Sequence, residues 1–88
     1  DDFSMLKALQ FLPTDMLKNH FFGKYAKDSA MILTLKTYFE EDQNMSKASK
    51  ELYVHRNTLI QRLEKFQEET GLDPRRFRDA VLIYRLIV

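Results

Sequence analysis

Arg56, Asn57 and Gln61 stand close together in the stretch VHRNTLIQRLEKFQEETG, residues 54–71, and Arg62 and Lys65 follow within it. A guanidinium can make paired hydrogen bonds to guanine, and a carboxamide can do the same to adenine. The further cations can neutralise phosphates. These groups act together only if one rigid surface presents them, and a helix would. On a helix, Leu59, Leu63, Phe66 and Thr70 stack on a single side and form an anchoring seam. Asn57, Gln61, Glu64 and Glu68 fall opposite that seam. Arg56 and Ile60 lie on one flank, and Thr58, Arg62 and Lys65 on the other. Gly71 ends the helix, where a residue free to take positive φ is expected.

The elements that hold this helix must come from a small chain. Eighty-eight residues make one domain, and 44% hydrophobic content is enough for a single core. Two glycines and two prolines leave little room for long irregular loops. Val, Ile and Thr are too scattered for strands, while Leu, Lys, Glu, Met and Ala suit helices. The chain has no cysteine, which excludes disulfides and thiolate metal sites and fits a reducing cytoplasm. No apolar run approaches the roughly 18 residues of a membrane span, and no signal peptide is visible. The sequence starts at Asp1 rather than Met, so it reads as a piece of a longer protein.

The net charge of +1 argues for no partner, but its distribution is uneven. Residues 44–66 carry Lys47, Lys50, Arg56, Arg62 and Lys65 against Glu51 and Glu64. Residues 67–73 carry only acids: Glu68, Glu69 and Asp73. Residues 74–88 are basic again, with Arg75, Arg76, Arg78 and Arg85 against Asp79. Positive charge therefore gathers around the start of the 54–71 helix.

In chain order, Phe3, Met5, Leu6, Leu9 and Leu12 suggest a first short helix stopped by Pro13. Thr14 or Pro13 opens a second, running to about Phe22 with Leu17, Phe21 and Phe22 as core candidates, and Gly23 closes it. Asp28 or Ser29 caps a third, whose stripe of Met31, Ile32, Leu35, Tyr38 and Phe39 faces the core. Glu40, Glu41 and Asp42 sit at its C-terminal end, where the helix dipole disfavours acids. Asn44 is an N-cap for a short helix from Met45 to about Leu52, on which Met45, Ala48 and Leu52 point one way. Tyr53 and Val54 make a tight connection into the 54–71 helix, so the two helices must cross steeply. Asp73 and Pro74 read as N-cap and first residue of a last helix over 75–88, apolar nearly all round. Such a helix is either central in the core or packed on a second chain.

The stretch NMSKASKELYVHRNTLIQRLEKF resembles the C-terminal helix-turn-helix of the PucR/CdaR family, bacterial regulators of purine and sugar-diacid catabolism. The motif carried here is a small-residue helix followed by L-x-V-H-R-N-T-L-x-x-R-L. LTLKTYFEEDQN upstream, and TGLDP with the long apolar helix downstream, also match that layout. The resemblance covers about 29–88, and a more distant likeness is to the DNA-binding end of the Fis protein. It implies a transcription factor that binds double-stranded DNA and senses its effector through a region outside this chain; because one such motif contacts too few bases for tight selectivity, a homodimer is expected in the intact protein. By position, Arg56, Asn57, Ile60 and Gln61 would face bases. Asn44, Ser46, Lys47, Thr58, Arg62 and Lys65 would face phosphates. Two departures stand out. Many such motifs have glycine in the turn, but Tyr53 stands here, costly if its φ is positive. Ile60 offers a base no hydrogen bond, only contact with a thymine methyl.

Each feature also has a plainer reading. Arg56, Arg62 and Lys65 can be ordinary solvated charges. Asn57 can cap its helix, and Thr58 can bond locally to backbone. His55 caps the helix or covers the turn; with His20 as the only other histidine and no cysteine, a metal role has no support. Glu64, Glu68 and Glu69 lie along an exposed face with no pocket, so an enzyme is rejected and no cofactor is expected. The expectation is an all-α bundle of five or six helices containing a helix-turn-helix. Residues 1–28 form a helical segment packed on the domain, and 29–88 form the DNA-binding domain. The competing reading is a helical protein–protein or dimerisation module that no longer binds DNA.

Overall fold

The computed structural model describes residues 14–88, and the helix expected before Pro13 lies outside the described residues. Five α-helices follow one another: α1 (Thr14–Phe22), α2 (Ser29–Glu40), α3 (Met45–Glu51), α4 (Arg56–Thr70) and α5 (Phe77–Ile87). A 3₁₀ turn, Gly23–Lys27, joins α1 to α2. The described part is therefore all helical, as the composition and periodicity predict.

The starts of the helices follow from local chemistry. The Asp28 carboxylate accepts from the Met31 amide at 3.1 Å, and the Asn44 side chain accepts from the Lys47 amide at 3.0 Å. Each satisfies one of the amides that a helix start leaves without a partner. At α4 the cap is His55, whose Nδ1 accepts from the Asn57 amide at 3.0 Å. Asn57 is thus not the cap, and its carboxamide stays clear of that bond.

The helix ends are less ordinary. Tyr53 takes φ +57°, its amide bonds the Lys50 carbonyl, and the Val54 amide bonds the Ser49 carbonyl. This pair of bonds is the Schellman ending, in which glycine is the usual left-handed residue. Asp42, at φ +55°, ends α2 in the same way, with Gln43 at φ +61° following it. A non-glycine residue held there is strained by about 1–2 kcal/mol. Glycine at 53 would relieve that strain but raise the entropy of the unfolded chain. Tyr53→Gly is accordingly expected to stabilise the domain by at most about 1 kcal/mol, whereas Tyr53→Val, β-branched at positive φ, should destabilise it. Urea melts of the three proteins check this; a Tyr53→Gly variant clearly less stable than the parent contradicts it.

One side of each helix makes the core. Leu35 and Tyr38 of α2, Ala48 of α3, Leu59, Leu63 and Phe66 of α4, and Ile83 and Leu86 of α5 are all buried, and Leu17 and Phe22 of α1 join them. Phe22 and Tyr25 set their rings against Phe66, each at a centroid distance of 5.5 Å. α3 lies between α2 and α4 and touches both. Ala48, wholly buried, lets them approach closely. Leu52 and Val54, half-buried, pack against the core beside the turn.

One expectation about the C-terminal end is corrected, and one choice is narrowed. Asp73 and Pro74 do not open α5; they form a preceding turn, closed by the Arg76 amide on the Asp73 carbonyl at 3.0 Å. The Asp73 carboxylate accepts from the Arg75 amide inside that turn, and Asp79 reaches back from the first turn of α5 to the Asp73 amide at 2.9 Å. Pro74 is buried, and its carbonyl accepts from Gln43 Nε2 at 2.8 Å. The helix therefore begins at Phe77. It is also not enclosed all round: Ala80, Leu82, Ile83, Leu86 and Ile87 are buried, but Phe77 is 69% exposed, Tyr84 48% and Val88 71%.

Candidate nucleic-acid interface

α4 is divided along its length. Leu59, Leu63 and Phe66 are at most 1% exposed, so packing fixes how the helix is rotated. Asn57 and Gln61 consequently stand in solvent, and so does Arg56, as the first residue of the helix; Ile60 and Thr58 are half-buried beside them and Arg62 is exposed on the next turn. The rotation follows from the sequence: burying a Leu or Phe contributes roughly 1.5–3 kcal/mol, and no polar residue interrupts the buried seam.

The charge order of α4 runs against what would stabilise an isolated helix. Its first turn holds no acid, and its last turn holds no base. Arg56 and Arg62 stand in its first half, and Glu64, Glu68 and Glu69 in its second. The helix dipole favours the opposite order. Core packing, not surface charge, therefore holds α4 together. The arrangement instead adds the positive end of the dipole to Arg56 at the exposed tip, a site for anions. The ion pairs Lys24–Glu69 at 2.9 Å and Arg75–Asp73 at 3.3 Å lie elsewhere, and among the described residues no acid forms an ion pair with Arg56, Arg62 or Lys65.

The candidate phosphate residues fall into two groups. Asn44, Ser46 and Lys47 are exposed at the start of α3, although the Asn44 side chain is engaged by the Lys47 amide. Thr58, Arg62 and Lys65 lie along one flank of α4. α3 crosses α4 through the tight 52–55 connection, so both groups belong to one helix-turn-helix unit. Among the described residues, no cluster of three or more His, Cys, Asp or Glu side chains could hold a metal ion. No described helix is long and apolar enough to cross a membrane.

This geometry agrees with the family comparison. The model of the PucR C-terminal helix-turn-helix domain matches residues 31–86. The chain belongs to that family. Purine catabolism regulatory protein of Bacillus subtilis (strain 168) is 38% identical across 92% of this chain. Carbohydrate diacid regulator of Escherichia coli (strain K12) is 43% identical across 58% of it. Uncharacterized protein YxkF of Bacillus subtilis (strain 168) is 33% identical across 68%. The chain spans 18%, 13% and 20% of the lengths of these three proteins. No solved structure matches. The PucR-family match begins inside α2, so α1 and the 3₁₀ turn precede the matched span.

Tyr25, in that preceding turn, escaped the sequence reading. It lies between Gly23 and α2, where no periodicity marks it. Its ring is buried against Phe66, and its hydroxyl is sealed from solvent, with the Glu69 carboxylate as its hydrogen-bonding neighbour. Burial first, and then the Glu69 carboxylate, push its ionisation up to about 12. Tyr38 is raised too, by burial, with Arg75 opposing. A phenol whose folded value lies above the unfolded one favours folding below the unfolded value, near pH 10. That contribution is lost as pH rises through the folded value. Stability is therefore expected to fall between about pH 10 and pH 12. Tyr25→Phe should remove part of this alkaline loss and leave stability at neutral pH undiminished, measured by urea unfolding across that range. Equal alkaline loss in the variant counts against it.

Proposed function

We propose that this chain is the DNA-binding part of a transcriptional regulator and places the N-terminal half of α4 in a major groove. Arg56, Asn57 and Gln61 read base edges there, and Ile60 meets a thymine methyl. The start of α3, with Asn44, Ser46 and Lys47, lies across the sugar–phosphate backbone, and Thr58, Arg62 and Lys65 follow it along the flank of α4. The observation that carries this reading is the tip of α4, cationic, amide-bearing and exposed, on a helix whose Leu59, Leu63 and Phe66 are locked in the core. Residues 29–88 form the DNA-binding unit, with the segment before them as a buttress. The relatives' printed names, a purine catabolism regulatory protein and a carbohydrate diacid regulator, support control of catabolic genes in the cytoplasm by a non-enzymatic protein. The effector is sensed outside this chain.

One such motif touches few bases, so the intact protein acts as a homodimer on two half-sites about 34 Å apart or a multiple of that. The face of α5 left open by Phe77, Val81 and Tyr84, with Phe39 of α2 edge-on to Tyr84, supplies an apolar surface for pairing. That same face favours a second reading, a helical interaction module without DNA affinity.

Selection from a randomised duplex pool separates the two. The DNA reading expects enrichment of a defined half-site, and an affinity that falls steeply with salt. Lys47→Ala should then lower all affinities alike and flatten the log–log salt slope by about 0.9. A pool that stays unenriched, with no salt-sensitive retention, favours the interaction module.

A further inference from the structure

His55 carries a ring nitrogen that the roles assigned above leave unused. Its Nδ1 accepts from the Asn57 amide at 3.0 Å and so caps α4. A ring nitrogen that accepts a hydrogen bond carries no proton. In a neutral imidazole the proton then sits on Nε2, which becomes a donor. The cap bond therefore fixes the tautomer. It also holds the ring still, because turning the side chain would break it.

The two nitrogens lie on opposite sides of the ring. With Nδ1 turned toward an amide of the first turn, Nε2 points away from the helix and out past its end. His55 is exposed, and so is Arg56 beside it. Among the described residues the Asn57 amide is the only hydrogen-bond partner of the His55 ring. Capping alone does not account for an imidazole here, since serine, threonine, aspartate and asparagine are the preferred caps. What histidine adds is one uncharged donor on a ring that the helix itself aims.

Resting on the DNA reading above, the direction of that donor says what it meets. A helix about 10–12 Å across fills a major groove about 12 Å wide. Phosphates then run along its flanks, and base edges lie ahead of its N-terminal end. Nε2 points ahead, not to a flank. The acceptors displayed there are purine N7, guanine O6 and thymine O4.

We propose that His55 is a further base-reading residue, whose Nε2–H donates to an acceptor on a base edge next to the pair read by Arg56. The bond from the Asn57 amide to Nδ1 is what orients it.

The test joins selection from a randomised duplex pool to binding of the selected duplex by fluorescence anisotropy across a salt series. His55→Ser keeps a capping oxygen and removes the far donor. It should weaken the selected duplex about fivefold, the size of one neutral hydrogen bond. One column of the preferred sequence should become uniform, and not the column that Arg56→Ala erases. The salt slope should stay unchanged, since no cation is lost. Nitrogen NMR of isotopically labelled histidine, at mildly alkaline pH, should show Nδ1 bare and Nε2 protonated in the free parent protein. The Nε2 signal should move when the selected duplex is added. Circular dichroism establishes that each variant is folded. A histidine that only caps would leave affinity and every column intact in His55→Ser, and that result overturns the proposal. So does a loss equal for all sequences, which marks a phosphate contact, and so does a free ring with its proton on Nδ1. A parent protein that enriches no half-site and binds no duplex is a different result, and sinks the DNA reading itself.

Discussion

Phe66→Ala should cost about 3–5 kcal/mol, the range for emptying an aromatic site in a closed core. Phe66 is wholly buried and holds Phe22 and Tyr25 against α4. Its removal leaves a cavity between α4 and the segment that precedes α2. A domain of this size has about 5–15 kcal/mol in all, so the loss takes a large share of it. Each kcal/mol shifts the melting temperature of so small a domain by about 4–8 °C. A fall well above 10 °C is thus expected, with DNA binding lost in step with helicity. Thermal melts by circular dichroism check it. A fall of only a few degrees would mean that the neighbouring rings close the gap, and that α4 is less firmly seated than its burial implies.

The second large effect is on recognition and should leave the fold intact. Arg56 is exposed at the tip of α4 and makes no ion pair among the described residues. Its truncation is expected to change stability by less than about 0.5 kcal/mol. If it pairs with a guanine, Arg56→Ala should weaken the preferred duplex by about 1–3 kcal/mol and erase preference at one base position only. Repeating the pool selection with the variant reads this directly: one column of the preferred sequence should become uniform. Should every column keep its preference, Arg56 contacts a phosphate or nothing, and base reading passes to Asn57 and Gln61.

These two residues illustrate what a helix-turn-helix asks of its sequence. Phe66 and Arg56 are ten positions apart on one helix, and their roles are set by where each stands along it, in the packed middle or at the exposed N-terminal tip. The period alone would put Arg56 near the face of Leu59 and Leu63; it is exposed because it is the first residue of α4, beyond the turns that pack. That period was legible because an apolar seam leaves one favourable rotation of the helix, and every other residue follows from it. The caps Asp28 and Asn44 were legible for a similar reason: a side chain bonding an amide three residues on is local chemistry.

What went unread depended on contacts between distant parts of the chain. Asp73-Pro74 has the local look of a helix start. Yet Asp79 captures the Asp73 amide and Gln43, thirty-one residues away, captures the Pro74 carbonyl, so the chain turns before the helix begins. The composition of α5 left a place inside the core and packing on a second chain both open, and α1 and α2 cover only one of its sides. Tyr25 had no period to reveal it, because a single 3₁₀ turn is too short to have one.

The sequence by itself determined that the chain is helical, where most helices start, which side of α4 is inward, and hence that Asn57 and Gln61 look outward. Those properties come from spacing and capping, which act over a few residues. Only the tertiary structure decided that Tyr53 and Asp42 bear left-handed backbone, that α5 leaves an aromatic face open, and that the turn before α2 sets Tyr25 against Phe66 of α4. The left-handed residues are local Schellman endings that carry no glycine to announce them; the others need segments far apart in the chain to meet, and the geometry of that meeting comes from how whole helices pack.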